Sequence, residues 1–346
     1  MGEQSEEPAN HGLRAPGSNN LDITGGVRVD AMHPVAEAVF ALLKQAYPTH
    51  GFAALEQAFE DFDRLFHGRY HGYRACETLY HDVQHTLDMT LAMARICVSH
   101  DLNTAEFEHF GPERIEVGLI TALFHDSGYI RSVHDSRHEN GAEYTKVHVS
   151  RSAEFLEDYL PGVGEAKVAG IAGKIVHFTG YEVALDTIHV DDARYLRIGH
   201  ALGSADLMAQ MADRCYLEKC RDRLYPEFVI GGIAQMPGAD GGVLYSSPMD
   251  LIRKTPAFAQ GECKRRLNGQ FGSIHEHVRG LFGGEHPYMN SIHSHVDHAQ
   301  RIAESGRDDV LRRNPPETQG LAGFPDLRRY LPDHAGEAFD GPNPYL

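Results

Sequence analysis

Apolar residues recur along most of this chain at intervals of three and four, the spacing that lines one face of an α-helix. Val35, Val39, Leu42 and Leu43 form one such stripe, and Leu55, Phe59, Phe62 and Phe66 form another. Residues 79–98 predict a further helix with Val83, Leu87, Leu91 and Ala94 on a common face. The stretch 115–124 is apolar nearly all round, the pattern of a helix buried on every side. More helices are predicted over 142–160, 164–178, 192–217, 217–229, 249–260, 268–282 and 288–305, with Pro161-Gly162 breaking the chain between two of them. Period-two alternation is scarce, and 185–190 is at most one short strand. The pattern predicts an all-α protein.

The ends differ from the middle. Residues 1–30 are rich in Gly, Asn, Glu and Pro, have little periodic apolar content, and predict a disordered tail. The Gly-rich stretch 231–242 predicts a loop, and the Pro- and Gly-rich chain over 306–346 predicts a coil extension lying over the surface. No repeat or linker interrupts 31–305, so the expectation is one helical domain with an extension at each end. A chain of 346 residues is long enough to bury a substantial core.

Charge and cysteine content narrow the partners. Lys+Arg 32 against Asp+Glu 49 gives a net charge of −17. That balance argues against a nucleic-acid polymer, which needs a basic surface. It leaves room for a small anionic substrate, because bound cations reverse the sign locally. No run approaches the ~18 unbroken apolar residues of a membrane-spanning helix, and the start of the chain lacks the basic and apolar stretches of a secretory signal. Cys76, Cys97, Cys215, Cys220 and Cys263 form no CxxC pair and fit free thiols in a reducing compartment, so a cytoplasmic protein is expected. The sequence leaves the oligomeric state open, a homodimer being one option.

Histidine is the compositional outlier, at 23 residues. In Tyr80-His81-Asp82-Val83-Gln84-His85, the two histidines are four apart and share a face if the segment is helical. The pair His125-Asp126 closes the apolar helix in Leu123-Phe124-His125-Asp126-Ser127-Gly128. Such a pair is costly to bury without a partner. A metal supplies one, since imidazole suits transition metals and a carboxylate can bridge two of them. The alternative is a capped helix end, with Asp126 bonding local backbone groups. Three later residues extend the series: His148 ahead of a stripe with Phe155, Leu156 and Leu160; His177 after a stripe with Ile171 and Ile175; and Asp206 in the small, apolar run Gly203-Ser204-Ala205-Asp206-Leu207-Met208. Singly, each is more often a structural residue than a ligand.

In that order, His…His-Asp…His…His…Asp, the series resembles the HD superfamily of metal-dependent phosphohydrolases over about residues 75–230. The resemblance implies an HD-domain helical bundle with a central binuclear metal site. His85 then matches the first ligand, His125 and Asp126 the defining pair, His148 and His177 the histidines of the second metal, and Asp206 the closing aspartate. The implied cofactors are two divalent transition-metal ions (Fe, Mn, Zn or Ni), with Mg an option at one position. The segment Tyr80-His81-Asp82-x-x-His85 is similar to the Tyr-His-Asn-x-x-His segment of class I cyclic-nucleotide phosphodiesterases, as is Ala205-Asp206-Leu207 followed by Asp222-Arg223 and Glu227-Phe228. In those enzymes the first histidine is the general acid, the position His81 holds here. Asp82 departs from the family asparagine, and Tyr129 stands where those enzymes carry another histidine. Gln270, before Phe271, is the candidate for their purine-gripping glutamine. The glycine-tyrosine-proline motif of the cyclic-dinucleotide branch is absent.

The expected chemistry is hydrolysis of a small anionic phosphoester, a diester or monoester of nucleotide type. Two metals ~3.5–4 Å apart share a bridging water and lower its pKa towards neutrality. Asp126 is the natural bridging carboxylate, and His81 the proton donor to the leaving oxygen. His81 read without the resemblance is a supporting or structural histidine. Two other functions remain. Some HD proteins are mixed-valent di-iron oxygenases with the same ligand order, and others are non-catalytic modules that bind a nucleotide. Outside the series, His134 and His138-Glu139 read as a solvated loop, and His293-x-His295-x-x-His298 reads as a surface cluster.

Overall fold

A computed structural model describes residues 18–238, 241–307 and 309–330, and every structural statement concerns these. The chain is mostly helical, and the described residues contain isolated β-bridges but no strand. The helices are α1 (Met32–Ala46), α2 (Ala53–Phe66), α3 (Val83–Asn103), α4 (Pro112–Phe124), α5 (His148–Tyr159), α6 (Ala169–Ile175), α7 (Ala193–Ala212), α8 (Tyr216–Lys219), α9 (Tyr225–Ile230), α10 (Pro248–Phe258) and α11 (Pro287–Ser305). Among the described residues no helix is long and apolar enough to cross a membrane. The five cysteines are free and buried.

The axis of the fold is α3. Every residue from Gln84 to Asp101 is buried, although the sequence pattern predicts only one apolar stripe. Helices α1, α4 and α7 and a 3-10 segment, Ile274–Leu281, pack around it. Several of its polar residues are paired. Arg95 donates to Asp22 Oδ2 (2.6 Å) and to the Tyr288 hydroxyl (2.7 Å). Asp101 accepts from the backbone N–H groups of Phe110 and Gly111 (3.0 Å each).

Several boundaries differ from the expectation. Helix α3 begins at Val83 rather than 79, because Asp82 is extended (φ −107°, ψ −176°) and caps it by accepting from the His85 N–H (3.0 Å). His81 therefore lies before the helix and not on its face. The stretch 142–160 is a 3-10 turn, Gly141–Tyr144, and then α5, with His148 as its first residue. Residues 185–190 hold a 3-10 turn, Leu185–Thr187, in place of a strand. A π-turn, Cys220–Leu224, joins α8 to α9. Over 268–282, a π-turn (Arg265–Gln270) gives way at Gly272 and Ser273, both of positive φ, to the 3-10 segment.

The expected N-terminal tail is also revised. From residue 18 the chain forms a short turn and a Leu21–Arg28 bridge, with Asp22 and Val29 buried. The pairing of Asp22 with Arg95, 73 residues away, explains this order. Residues 1–17 lie outside the described residues. Of the C-terminal extension, 309–330 runs as coil and short turns, with the Arg313 N–H donating to Glu218 (3.1 Å) and Asn19 to the Asn314 carbonyl (2.9 Å). Residues 331–346 lie outside the described residues.

Replacing Asp22 by Ala leaves Arg95, only 6 % exposed, without its counter-charge. Asp22→Ala should cost about 3–5 kcal/mol, the usual penalty for breaking a buried pair, read as a lowered urea midpoint. A loss below about 1 kcal/mol would detach the segment from the core.

Candidate metal centre

Helix α4 ends by delivering His125 and Asp126 into the interior, each 2 % exposed. At the helix end His125 Nδ1–H donates to the Ala122 carbonyl (2.8 Å), which turns Nε2 inward. His148 is set in the same way: Nδ1–H donates to the Thr145 carbonyl (2.8 Å). The chain then turns tightly through Ser127–Tyr129 against the start of α5. A Cβ on Gly128 would lie 1.8 Å from the His148 carbonyl oxygen, so only glycine permits this approach. Ser152 Oγ accepts from the Gly128 N–H (2.9 Å), and Arg151 Nε donates to the Gly128 carbonyl (2.7 Å). These bonds clamp the His-Asp turn to the helix that carries His148. Capping by Asp126 is not realised, because no backbone N–H bonds its side chain and its Oδ2 has no hydrogen-bond partner.

Four helices meet at the centre. One ligand atom each from His85, His125 and Asp126 lies within 4.8 Å of the others, a cluster able to hold a metal ion. His85 Nε2 is 3.5 Å from Asp126 Oδ2 and 3.3 Å from Asp206 Oδ1. His125 Nε2 is 3.1 Å from Asp126 Oδ2 and 3.8 Å from Asp206 Oδ1. His148 Nε2 approaches the other oxygen, Asp126 Oδ1, at 3.7 Å. Asp126 thus faces His85 and His125 with one oxygen and His148 with the other.

His125 Nε2 and Asp126 Oδ2 are both buried and lack a hydrogen-bond partner despite their separation. With Nδ1 carrying the ring proton, a neutral His125 points a bare lone pair at a carboxylate oxygen. Two lone pairs that close repel unless a cation stands between them. A second proton on the imidazole meets that need, and so does a metal ion. The electrostatics follow. Burial pushes the His125 imidazole down, but the Asp126 carboxylate outweighs it and the group is held up at about 9. For Asp126, burial acts upward and the His125 and His81 charges outweigh it, so the carboxyl is well below the usual range.

His81, outside helix α3, is held by a different device. Its Nδ1 pairs with Glu227 Oε2 at 2.5 Å, and Glu227 Oε1 accepts from the Tyr80 N–H (2.5 Å). Burial lowers the His81 pKa, yet Glu227 and Asp126 raise it to about 9. Tyr129 stacks against two histidine rings, 4.6 Å from His81 and 4.3 Å from His148. The lining function of Tyr129 was absent from the sequence pattern. So was the placement of Glu182, which accepts from the backbone N–H groups of Val149 (2.7 Å) and Ser150 (3.0 Å) and lies 3.7 Å from His148 Nδ1. Glu182 thereby supports the start of α5 from 32 and 33 residues away, a separation that leaves no local signal.

His177 is not joined to the others: no ion pair or hydrogen bond among the described residues connects it to Asp126 or Asp206. It sits in the 3-10 turn Val176–Phe178 after α6, and its Nδ1 is buried without a partner. Burial lowers its pKa. Gln270 does not line the central cavity either.

That cavity is about 750 Å³ and is bordered by His81, His125, Asp126, His148 and Asp206. Lys146, Glu182 and Lys254 also border it, and its apolar lining includes Leu207, Phe228, Tyr245 and Phe258. Phe228 and Tyr245 stack there with ring centres 5.7 Å apart. A chamber of this size and make-up suits a small molecule with a charged end and an apolar body.

The pKa values set a pH dependence. His125 and His81 are raised from 6.5 to about 9, so in the metal-free chain they add stability that is fully present below about 6.5. That stability should disappear as the pH rises through about 9. A metal at His125 must displace its proton, so binding should strengthen over the same interval and release about one proton per chain at pH 7. Titration calorimetry in two buffers of different ionisation enthalpy reads that proton; no release would rule out His125 as a ligand.

Comparison with family models, with curated proteins and with solved structures finds no match for this chain.

Proposed function

We propose that this chain is a metal-dependent phosphohydrolase of the HD type, acting on a small phosphodiester or phosphomonoester whose alcohol part is apolar or aromatic. The supporting observation is the convergence of imidazole nitrogens on two carboxylates that border a cavity with apolar lining residues. His85, His125, Asp126 and Asp206 are the residues suited to one ion, and Asp126 with His148 to a second, to which His177 is assigned by the resemblance alone. The donor set favours Fe, Mn, Zn or Ni, with Mg an option at one position. Bound there, such ions supply a Lewis-acid hold on phosphoryl oxygens and an attacking water deprotonated near neutral pH.

The remaining steps fall to side chains. Lys146 adds positive charge to the chamber and favours an anionic substrate, whereas Lys254 is paired with Asp250 (2.9 Å). His81, fixed through Nδ1 by Glu227, keeps its other ring nitrogen free to carry a proton to the leaving oxygen. A histidine held at about 9 is protonated at neutral pH, the state a general acid needs. The stack on Tyr129 holds the ring in place while that proton moves. Five buried thiols suit a reducing, cytoplasmic setting.

The purified chain should carry about two transition-metal ions, and Asp126→Ala should lose both metal and turnover in a screen of phosphoesters run with and without oxygen. A folded protein that binds no metal overturns the reading, and turnover that requires iron and oxygen replaces it with the di-iron oxygenase.

His81→Ala should keep the metals and slow hydrolysis by roughly 10²–10⁴-fold, the usual worth of general acid catalysis. Glu227→Gln removes a charge that raises the His81 pKa, so the alkaline limb of kcat/KM should move to lower pH. A limb left unmoved would free His81 of the proton-donor role.

A further inference from the structure

We propose that His275, Glu276 and His286 form a second, separate metal site for a divalent ion of the zinc class. His275 and Glu276 open the 3-10 segment Ile274–Leu281, and His286 stands at the N-terminal cap of α11. A turn with Gly283 and Gly284 at positive φ (61° and 95°) folds one back on the other. One ligand atom from each of the three side chains lies within 4.8 Å of the other two. His275 Nε2 is 3.4 Å from Glu276 Oε1, and the imidazole centres are 5.6 Å apart.

What singles out this cluster is unmet bonding. Both imidazoles are 1 % exposed, and His275 Nδ1 and His286 Nε2 have no hydrogen-bond partner. Native interiors rarely leave such an atom bare, because neither water nor protein then replaces its lost hydration. Here two occur on adjacent rings beside Glu276, the bare nitrogen of His275 being Nδ1 while its Nε2 lies nearest the carboxylate. Burial pushes the His275 pKa down to about 4 and lowers that of His286, so both rings are neutral at pH 7 and offer lone pairs. Glu276 engages Arg279 through Oε2, which leaves Oε1 toward His275. Its side chain is 44 % exposed, so an ion and a completing water can enter from solvent. Two histidines, a glutamate and a water are a familiar zinc ligand set.

Coordination has one local cost. His286 Nδ1 accepts from the Met289 N–H at 3.3 Å. With Nε2 holding the ion, the ring proton moves to Nδ1 and this long hydrogen bond is given up, with no net proton released. In return the ion ties the 3-10 segment to the head of α11. The segment rests on α3, where the His100 and His277 rings are 4.6 Å apart, so the tie braces the helix that carries His85.

The test uses the full chain with the central site disabled by Asp126→Ala and Asp206→Ala, stripped with chelator and titrated with Zn²⁺ alone. It should take up one ion per chain, with a rise in Tm. Adding His275→Ala should abolish this uptake. Adding Glu276→Ala, at a half-exposed position that folding tolerates, should weaken it at least about tenfold, since even a ligand's supporting partner is worth that much. Adding His293→Ala and His298→Ala should leave it unchanged. Absence of zinc uptake by the doubly substituted chain overturns the proposal. So does uptake unaltered by Glu276→Ala, or uptake lost with His293 and His298.

Discussion

A carboxylate that is 2 % exposed has surrendered nearly all of its hydration, and Asp126 must recover that energy from its neighbours. Hydrogen bonds from the backbone do not supply it, since Gly128 N–H turns to Ser152 instead. Positive charge has to. The surrounding histidines provide it as protons, which is why His125 and His81 are held near 9 while Asp126 stays ionised. A metal ion meets the same requirement with more charge in one place. A proton and a metal ion would therefore compete for the His125 lone pair.

That arrangement demands fixed geometry, and the scaffold supplies it from separate elements. Helices α3, α4, α5 and α7 each bring one part of the cluster, so no local rearrangement can assemble it. The imidazoles of His125 and His148 are oriented by their own helix ends through Nδ1, leaving Nε2 to face Asp126. On α7 the close approach is again made by glycine: a Cβ on Gly203 would meet the Phe178 carbonyl oxygen at 2.5 Å. Gly203 is one helical turn before Asp206. The turn bearing His177 is thus seated beside the helix that carries Asp206, although His177 itself makes no bond to the cluster.

The helices were legible wherever a single face is apolar. Leu55, Phe59, Phe62 and Phe66 mark α2, and the uniform run before His125 marks α4. The entry of His125 and Asp126 into the interior was legible for the same reason, because a polar pair at the end of a buried helix has nowhere else to go. What failed was anything set by partners far along the chain. Asp22 reads as part of a polar tail until Arg95 is placed beside it, and Glu182 as a loop residue until it caps α5. The start of α3 was legible in principle, since aspartate is a preferred cap and Asp82 stands three residues before His85. The π-turns at Cys220–Leu224 and Arg265–Gln270 insert an extra residue per turn, which a fixed helical period cannot register.

Tyr129 is the residue whose meaning changes most. In sequence it marks a departure, a tyrosine where the resembled enzymes have a histidine. In space it stacks with both His81 and His148, whose own ring centres are 6.1 Å apart. The pKa values of those two neighbours diverge. Burial, with the charge of His81 added to it, holds His148 low, whereas Glu227 and Asp126 hold His81 high against burial. At neutral pH one ring carries a proton and its neighbour presents a lone pair. Neighbouring titratable groups are pushed apart in this way by the different charges that face them. The divergence depends on which carboxylate each ring faces, Glu227 for His81 and Asp126 for His148.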